Sequence, residues 1–367
     1  MEKDILEEGN IFLIPPYIPK DISRRVLLFW KSLDYKNHVF LFSSGTTHSD
    51  NYKTYALSKE SIINNAKAVN TFLQARKKDK WYSVLPFYHI GGLSIYFRAA
   101  LLEQKVMALN TRWNAQQYYE ELLRYDISYS SLVPTQLYDL IQLNLSSPKK
   151  LKGVFVGGDF LASAIKEKAL ELGWPIILTY GMTECCSQIA TSFAEKSKEG
   201  FLEVLPLHFI EKNNSLFTIT SKSLYSSEIL FMTDKEIVSN TEQNQILLPD
   251  QIELLIKEEV QYIRPMGRST QEIKIKGRLY HTLDIQDIFE TALFDLGLWG
   301  KAQLLFNHNL REGKEIKILI VADFYHLKDK LFKALDEKLP KIIKKELITS
   351  VPTIMKTELG KIKAQDV

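Results

Sequence analysis

Cysteine is scarce in this sequence. The 367 residues contain two cysteines, and these are neighbours, Cys185 and Cys186. A disulfide between adjacent residues is strained and rare, and a zinc site would need two further ligands at suitable spacing. We therefore expect neither a disulfide framework nor a structural metal, and we interpret the two thiols as small packing residues beside a site.

A strong net charge and a long apolar run are also lacking. The chain has 47 basic and 44 acidic residues, a formal charge of +3, which is too small to indicate a nucleic-acid partner. No apolar run approaches the roughly 18 residues of a membrane span. The opening residues, MEKDILEEGN, are acidic where a signal peptide would be basic and then apolar. We expect a cytoplasmic protein, and the sequence does not specify its oligomeric state.

What the chain does contain is an alternation of strand-like runs and helical periodicity from residue 37 to about 190. The predicted strands are HVFLF, WYSVLP, KVMAL, SYSSLV, KGVFV and PIILT. One predicted helix covers residues 58–77 with Ser58 as its N-cap, and another covers residues 161–173 with Gly173 at its end. This alternation predicts a largely parallel sheet covered on both faces, with ligands at the carboxyl ends of its strands.

The pattern changes after residue 200. Short strand-like pieces without clear helices, over 201–265, predict a small antiparallel sheet or barrel. A hairpin, a helix from about Asp284 to Leu296, a strand and a lysine-rich helix then follow. We predict an α/β fold with a large N-terminal domain, residues 1–267, of layered mostly parallel sheets, helices and a β-barrel-like part. A small, mobile α+β domain would occupy residues 268–367, with its hinge at Arg268–Gln271.

Four motifs rich in glycine and hydroxyl groups follow predicted strands. The first, FSSGTTHSDNYKTYALS (residues 42–58), offers hydroxyls and unhindered backbone N–H groups that suit phosphate, with Lys53 as a point charge. It lacks the Gly-Lys-Ser/Thr ending of a Walker A loop. Taken alone, this stretch is more typical of an ordinary polar turn.

The other three motifs are each ambiguous alone. LPFYHIGGLSI (85–95) places His89 before two glycines, where it would line a pocket or be merely structural. VFVGGDFL (154–161) has paired glycines that admit a flat ring or simply a tight turn. TYGMTECCSQIAT (179–191) presents Thr183 and Glu184, oxygen donors that suit Mg²⁺ with phosphates. Together, the four motifs predict one phosphate- and cation-binding site at one end of the sheet.

The order of these motifs, with VPTQL, LPD, GR and a final KTELGKI, resembles the adenylate-forming acyl- and aryl-CoA synthetase superfamily. Over about residues 37–367 the chain is most similar to the o-succinylbenzoate–CoA ligases of menaquinone biosynthesis. The resemblance implies an acid–thiol ligase that uses Mg·ATP to convert a carboxylic acid, with o-succinylbenzoate the best candidate, into an acyl-adenylate and pyrophosphate. The acyl group would then pass to CoA. ATP, CoA and a small acid are the implied partners, with Mg²⁺ as cofactor.

The resemblance also implies site residues. Those expected at ATP or AMP are Ser43, Ser44, Gly45, Thr46, Thr47, Lys53, Gly157, Gly158, Asp159, Tyr180, Gly181, Met182, Thr183, Asp250 and Arg268. Those expected at the acid are His89, Gly91, Gly92 and Gly181, and the magnesium ligand is Glu184. The residues expected to act in catalysis are Lys361, Thr183, Glu184, His89 and Arg268.

Their implied roles are specific. Residues 43–47 and Lys53 would hold the β,γ-phosphates, Tyr180 and the glycine pair would flank adenine, and Asp250 would bind the ribose. Thr183 would meet the α-phosphate. Lys361 would bridge the carboxylate and the α-phosphate during adenylation, since cationic groups must neutralise the charge that spreads there.

The sequence also departs from the family pattern. The phosphate loop is two residues longer and lacks two glycines, Pro249 replaces a glycine, and Ser269 stands where an acidic hinge residue is usual. About 36 residues precede the first motif, so we expect the usual N-terminal subdomain to be largely absent. Three alternatives stay open: a CoA ligase for another small aromatic or aliphatic acid, a non-catalytic nucleotide-binding relative, and an adenylating enzyme that loads a carrier protein.

Overall fold

The structure is a computed structural model of the chain. It describes residues 4–43, 51–109, 111–214, 216–232, 235–241, 244–268, 272–275, 278–309 and 313–354. Within these ranges the α-helices are α1 (Lys20–Ser32), α2 (Lys59–Leu73), α3 (Ile90–Leu101), α4 (Ala115–Arg124), α5 (Pro134–Ile141), α6 (Ser163–Glu171), α7 (Thr282–Asp295) and α8 (Lys328–Lys338). In the described part of the chain, no helix combines the length and apolarity needed to cross a bilayer.

Strands make up most of the remaining ordered elements. In the first half of the chain they are β1 (Ile11–Leu13), β2 (His38–Phe42), β3 (Tyr52–Ser58), β4 (Lys80–Ser83), β5 (Lys105–Ala108), β6 (Tyr129–Leu132), β7 (Gly153–Val156), β8 (Ile176–Met182) and β9 (Ser187–Phe193). In the middle they are β10 (Leu202–Val204), β11 (His208–Asn213), β12 (Leu216–Ser221), β13 (Ser227–Phe231), β14 (Glu236–Asn240), β15 (Gln245–Leu247), β16 (Asp250–Lys257) and β17 (Val260–Arg268). The last are β18 (Glu272–Ile275), β19 (Arg278–His281), β20 (Ala302–Asn309), β21 (Gly313–Val321) and β22 (Ile348–Val351).

The largest sheet has nine strands in the order β16-β17-β10-β9-β8-β7-β6-β4-β5. Strands β5, β4, β6, β7 and β8 run parallel, connected by α3 to α6 in turn, so the predicted parallel α/β sheet is confirmed. Strands β9, β10, β17 and β16 extend it in antiparallel fashion. The TYGMTECCSQIAT motif begins within β8, after its apolar start. It continues through the turn that joins the antiparallel strands β8 and β9.

A second sheet has the order β1-β2-β3-β13-β14 and lies against helix α2. Its strand β3 covers residues that we interpreted as the second half of a phosphate loop. The reason is the sequence YKTYALS, in which four consecutive residues from Thr54 to Leu57 are buried and the backbone pairs with β2 and β13. The predicted N-cap of α2 is confirmed, since Ser58 Oγ accepts a hydrogen bond from Ser61 N at 3.0 Å.

The antiparallel region predicted over 201–265 divides between sheets. Strands β11, β12 and β15 form a small sheet of their own, while β13 and β14 join β3. The predicted C-terminal hairpin, helix, strand and helix are β18–β19, α7, β21 and α8, and they have their own buried core. The boundary at residue 267 stays a prediction, and residues 269–271 of the expected hinge lie outside the described residues.

The C-terminal unit contacts the large sheet through helices α5 and α6. The ring of Trp299 stacks on Tyr138, with 5.3 Å between ring centroids and 23° between planes. Ser163 N, at the first residue of α6, donates a hydrogen bond to Asp287 Oδ1 of α7 at 2.7 Å. These contacts join α7 and the segment after it to helices α5 and α6.

Candidate functional site

A cavity of about 430 Å³ lies between the β3–β13 strand pair, the β8–β9 turn and the segment that follows β14. Three residues expected from the sequence line it: Lys53, Met182 and Glu184. The remaining lining residues are Tyr225, Glu228, Asn240, Thr241, Gln245, Ile246, Leu247 and Pro249. The cavity therefore brings together motifs that are far apart in the sequence.

The β8–β9 turn has a tight backbone that explains its composition. A Cβ atom at Gly181 would lie 1.8 Å from Ser187 O, so only glycine permits this close approach. After Met182 the chain forms one 3-10 turn, Thr183–Cys185, and Cys186 has a left-handed conformation with φ of 55°. The turn leaves the half-buried Glu184 on the cavity wall and keeps Thr183 almost fully buried beside it.

The two cysteines are packing residues, as interpreted from the sequence. Both are free and fully buried. Cys185 packs in the cluster that contains Ile189 and Ile219, whereas Cys186 packs in a different cluster, with Leu41. Burial raises the pKa of both thiols, so neither is activated as a thiolate.

Glu184 is held by side chains from the second sheet. Tyr55 Oη lies 2.6 Å from Glu184 Oε1 and 2.9 Å from Glu228 Oε2. Lys53 Nζ lies 3.0 Å from the same Glu228 oxygen. The register of β3 against β13 creates this cluster, because Tyr55 pairs directly with Glu228, and Lys53 lies two residues away on the same face of β3.

Burial raises the pKa of the Tyr55 hydroxyl, and the neighbouring carboxylates of Glu184 and then Glu228 raise it further, so this hydroxyl stays protonated. Lys53 has a carboxylate partner in this structure, and its contact with a phosphate stays a prediction. Glu228 was missed by sequence reasoning. The only signal was an acidic residue next to three apolar ones in the strand SEILF.

Residues expected at adenine and ribose also come together. Tyr180 Oη donates a hydrogen bond to Asp250 Oδ2 at 2.8 Å, and Asp250 is paired with Arg268 in the β16–β17 register. Burial, followed by the charge of Asp250, raises the pKa of the Tyr180 hydroxyl. Tyr180 lies near the end of β8, and Glu184 lies in the turn directly after it.

The glycines of VGGDFL lie at the end of β7, next to β8. A Cβ at Gly157 would be 2.6 Å from Thr179 Cγ2, so the neighbouring strand requires a glycine there. Gly158 has a φ of +82° with open space around it. The Asp159 carboxylate accepts a hydrogen bond from Phe160 N. A structural requirement therefore accounts for Gly157, and the contact of this loop with adenine stays a prediction.

The histidine motif begins helix α3. His89 occupies the N-cap position without a side-chain capping bond, and its ring lies 4.8 Å from that of Tyr88. A Cβ at Gly92 would lie 2.2 Å from Pro86 O, so this glycine lets the helix start against the preceding turn. At Gly91 a Cβ would make an ordinary contact, 3.6 Å from Leu85 Cδ1. The role of His89 and the glycines toward an acid stays a prediction.

Several expected residues lie outside the described part of the chain. They are Ser44, Gly45, Thr46, Thr47 and Lys361. Two described residues flank this stretch: Ser43 N donates a hydrogen bond to Lys53 O at 3.0 Å, and Lys53 lines the cavity. The contact of this stretch with phosphate stays a prediction.

A buried arginine, Arg98 of α3, was also missed by sequence reasoning. Its side chain is only 2% exposed and its guanidinium carbon lies 5.8 Å and 5.4 Å from the ring centroids of Trp81 and Phe155. Nη2 lies 3.5 Å from Ser187 Oγ, and Nε has no hydrogen-bond partner among the described residues. Within the same part of the chain, no carboxylate forms an ion pair with it. Burial lowers the pKa of Arg98 to about 9, so it remains a cation at neutral pH.

Known proteins resemble this chain in sequence and in fold. Residues 36–204 match the family described as AMP-binding enzyme. The 2-succinylbenzoate–CoA ligase of Staphylococcus epidermidis is 33% identical over 161 residues, which is 44% of this chain and 33% of that protein. That of Staphylococcus aureus is 33% identical over 178 residues, 48% of this chain and 35% of that protein. The matched region spans about a third of the length of these curated relatives.

Solved structures show the same fold. The o-succinylbenzoate CoA synthetase of Bacillus subtilis, in complex with the acyl-adenylate OSB-AMP, has a TM-score of 0.69 at 20% identity, over 88% of this chain and 67% of that one. Its complex with ATP and magnesium also has a TM-score of 0.69 at 20% identity, over 88% and 68% of the two chains. The chain therefore has the adenylate-forming enzyme fold, with an AMP-binding-enzyme region over residues 36–204.

Proposed function

We propose that the chain activates a carboxylic acid with Mg·ATP, releasing pyrophosphate, and transfers the acyl group to CoA, and that the acid is o-succinylbenzoate. One observation carries this proposal. The β8–β9 turn joins the Tyr180–Asp250 pair to the Glu184–Tyr55–Glu228 cluster on the cavity wall. A pair that would bind the nucleotide and a carboxylate that would bind the cation lie a few residues apart, as activation of an acid at a nucleotide phosphate requires.

The donor groups at this turn fit magnesium. The carboxylate of Glu184 faces the cavity, and that of Glu228 lies beside it across Tyr55, so both are hard oxygen donors of the kind that Mg²⁺ prefers. Glu184 would hold the ion next to the phosphates. The bound ion would neutralise negative charge on the phosphate oxygens.

The first step would be attack of the acid carboxylate on the α-phosphorus of ATP. A carboxylate–phosphorus bond forms as the bond to pyrophosphate breaks, giving the acyl-adenylate. Tyr180 and Asp250 would orient adenine and ribose, and Thr183 would meet the α-phosphate. Lys361 would neutralise charge between the two reacting anions.

In the second step the CoA thiol would attack the acyl carbon, forming the thioester as AMP leaves. Lys361 would have to withdraw to admit CoA, and a lysine carried by a separate, mobile C-terminal unit would be able to do so. His89, at the start of α3, would border the approach of the thiol.

Arg98 supports a substrate that carries a second carboxylate. Burying a cation without an anionic partner is costly, and the cost is recovered when an anion binds. The guanidinium lies beneath the β8–β9 turn, beside Ser187, with aromatic rings of Trp81 and Phe155 near it. An acid with an aromatic ring and two carboxylates, such as o-succinylbenzoate, would present one carboxylate to Arg98 and the other to ATP.

Pyrophosphate release with Mg·ATP and a panel of acids tests the proposal. We expect release with o-succinylbenzoate, followed by CoA consumption and thioester formation. Release with a different acid would change the substrate, and release without CoA turnover would favour an enzyme that loads a carrier protein. No release with any acid, from a chain that still binds nucleotide, would contradict ligase activity and favour a non-catalytic relative.

A further inference from the structure

Tyr55 links the carboxylate of Glu184, in the turn after β8, to that of Glu228, on β13. Its hydroxyl oxygen lies 2.6 Å from Glu184 Oε1 and 2.9 Å from Glu228 Oε2. A hydroxyl group carries one proton and can donate one hydrogen bond at a time. Lys53 already donates to Glu228 Oε2 at 3.0 Å, so the tyrosine proton is available to Glu184.

The tyrosine itself is rigidly held. Its side chain is fully buried in a cluster that includes Val39, Leu41 and Leu57, and its ring centroid lies 5.3 Å from that of Tyr225. Tyr225 N in turn donates to Glu184 O at 3.0 Å. Glu184 is therefore held at its backbone by Tyr225 and at its side chain by the fully buried Tyr55.

The charges on this wall of the cavity favour a cation. Glu184 and Glu228 carry two negative charges and Lys53 carries one positive charge, which leaves one net negative charge. Lys53 and Glu228 are each about a third exposed, at 36% and 28%, so their mutual attraction is partly screened. The Lys53–Glu228 ion pair matters for its geometry, because it keeps the Lys53 ammonium on Glu228 and away from Glu184.

We propose that Tyr55 is a positioning residue for Glu184. Supported by the Lys53–Glu228 ion pair, it holds the Glu184 carboxylate in place on the cavity wall and thereby sets the affinity for the divalent cation that accompanies the nucleotide. This inference rests on the proposed function, in which Glu184 holds magnesium. Two groups, Tyr55 and Glu228, would act through Glu184. Lys53 would support them through its ion pair with Glu228.

Tyr55→Phe removes the hydroxyl and keeps the buried ring. Outer partners of a metal ligand typically change metal affinity about 10- to 100-fold when they are replaced. We therefore expect the Mg²⁺ concentration at half-maximal nucleotide binding to rise by about tenfold. Calorimetric titration with α,β-methylene-ATP over a series of Mg²⁺ concentrations measures this without turnover. At saturating Mg²⁺, nucleotide affinity should return to within about twofold of wild type, because the metal then holds the carboxylate.

Tyr82→Phe is the matched control. Tyr82 is also fully buried and its hydroxyl also donates to a carboxylate, that of Glu121, but it lies in the core beneath α4. It should leave the Mg²⁺ dependence unchanged.

Glu228→Gln is a second test that keeps the shape of the side chain. It frees the Lys53 ammonium to compete for Glu184, so it should raise the Mg²⁺ requirement as well.

The outcomes distinguish the role of Tyr55 from the proposed function. Mg²⁺-dependent binding by wild type that neither Tyr55→Phe nor Glu228→Gln alters would overturn the role of Tyr55 alone. An equal shift in Tyr82→Phe would also overturn it, since the effect would then be a general loss of stability. Wild type that binds the nucleotide without any Mg²⁺ dependence would overturn the proposed function itself, and the role of Tyr55 with it. Thermal unfolding of each variant establishes that it is folded.

Discussion

Asp287 of α7 caps helix α6 from outside that helix. Its Oδ1 accepts a hydrogen bond from Ser163 N at 2.7 Å, and Ala162, the N-cap residue of α6, has no side chain able to do so. A carboxylate at a helix N-terminus satisfies an orphan N–H group and is favoured by the helix dipole. This one contact therefore joins the C-terminal unit to the helix that follows the VGGDFL loop.

Removing this cap should weaken the contact between the two parts of the chain. We expect Asp287→Ala to lower the free energy of unfolding by about 1 kcal/mol, the usual cost of losing a helix cap. Chemical denaturation measures this. Asp295→Ala, at the exposed end of the same helix, is the control and should change stability by no more than about 0.5 kcal/mol. Equal effects of the two substitutions would show that the cap contributes nothing.

Glu290, one turn further along α7, makes stability depend on pH. Burial raises the pKa of its carboxyl from 4.5 to about 8, with Gln286 opposing and Asp159 and Asp287 adding to the shift. One carboxyl oxygen, Oε2, is buried without a hydrogen-bond partner in the described part of the chain. The group is thus protonated in the folded protein at neutral pH and ionised in the unfolded chain.

The sign of the effect follows from that difference. The unfolded chain loses this proton above pH 4.5 while the folded protein keeps it until about pH 8, so stability falls as pH rises through this window. We expect Glu290→Gln to remove part of the fall and to be more stable than wild type at pH 8. Denaturation curves at several pH values check this. Parallel pH profiles for the two proteins would contradict it.

The sequence predicted those features that depend on neighbouring residues. Strand β2 occupies the predicted run HVFLF, and Ser58 caps α2, because apolar patterning and capping are local properties. The parallel sheet followed from the alternation of such segments. Strand β3 was missed since its polar residues, Lys53 and Thr54, look like a loop until their cross-strand partners are known.

The parts of the site that sequence reasoning missed depend on distant partners. The register of β13 against β3 places Glu228 beside Tyr55, and no local sequence pattern specifies that register. Arg98 reads as an ordinary basic residue near the end of a helix, where it would suit the helix dipole, and only the packing of α3 on the sheet reveals that it is buried.

Tyr180→Phe tests the pairing of Tyr180 with Asp250. In the proposed function the phenyl ring would still flank adenine, but Asp250 would lose the hydrogen bond from Tyr180 and be free to turn away from the ribose. A hydrogen bond to a charged group contributes about 1.5–3 kcal/mol, so we expect AMP to bind at least about tenfold more weakly. Equilibrium titration with AMP measures this. Tyr129→Phe, which removes a hydroxyl bonded to Leu73 O in the core, should leave AMP binding unchanged.

Arg98→Met separates stability from function at the buried cation. Methionine has a similar length and fills the space between Trp81 and Phe155 without a charge to desolvate. Replacing buried charges by apolar side chains often leaves a protein as stable or stabilises it by about 1–4 kcal/mol. We therefore expect the melting temperature without substrate to stay the same or rise, while pyrophosphate release with o-succinylbenzoate is largely lost.

Arg98→Lys tests whether the shape of the guanidinium group matters in addition to its charge. It keeps a positive charge but loses the planar fork that binds a carboxylate with two hydrogen bonds, so we expect a raised KM for the acid and a smaller change in kcat. An acid that lacks the second carboxylate should be insensitive to either substitution. If Arg98→Met instead unfolded the chain, or if it lowered turnover of mono- and dicarboxylic acids equally, the guanidinium would be a packing group. Its position beneath the β8–β9 turn would then carry no substrate specificity.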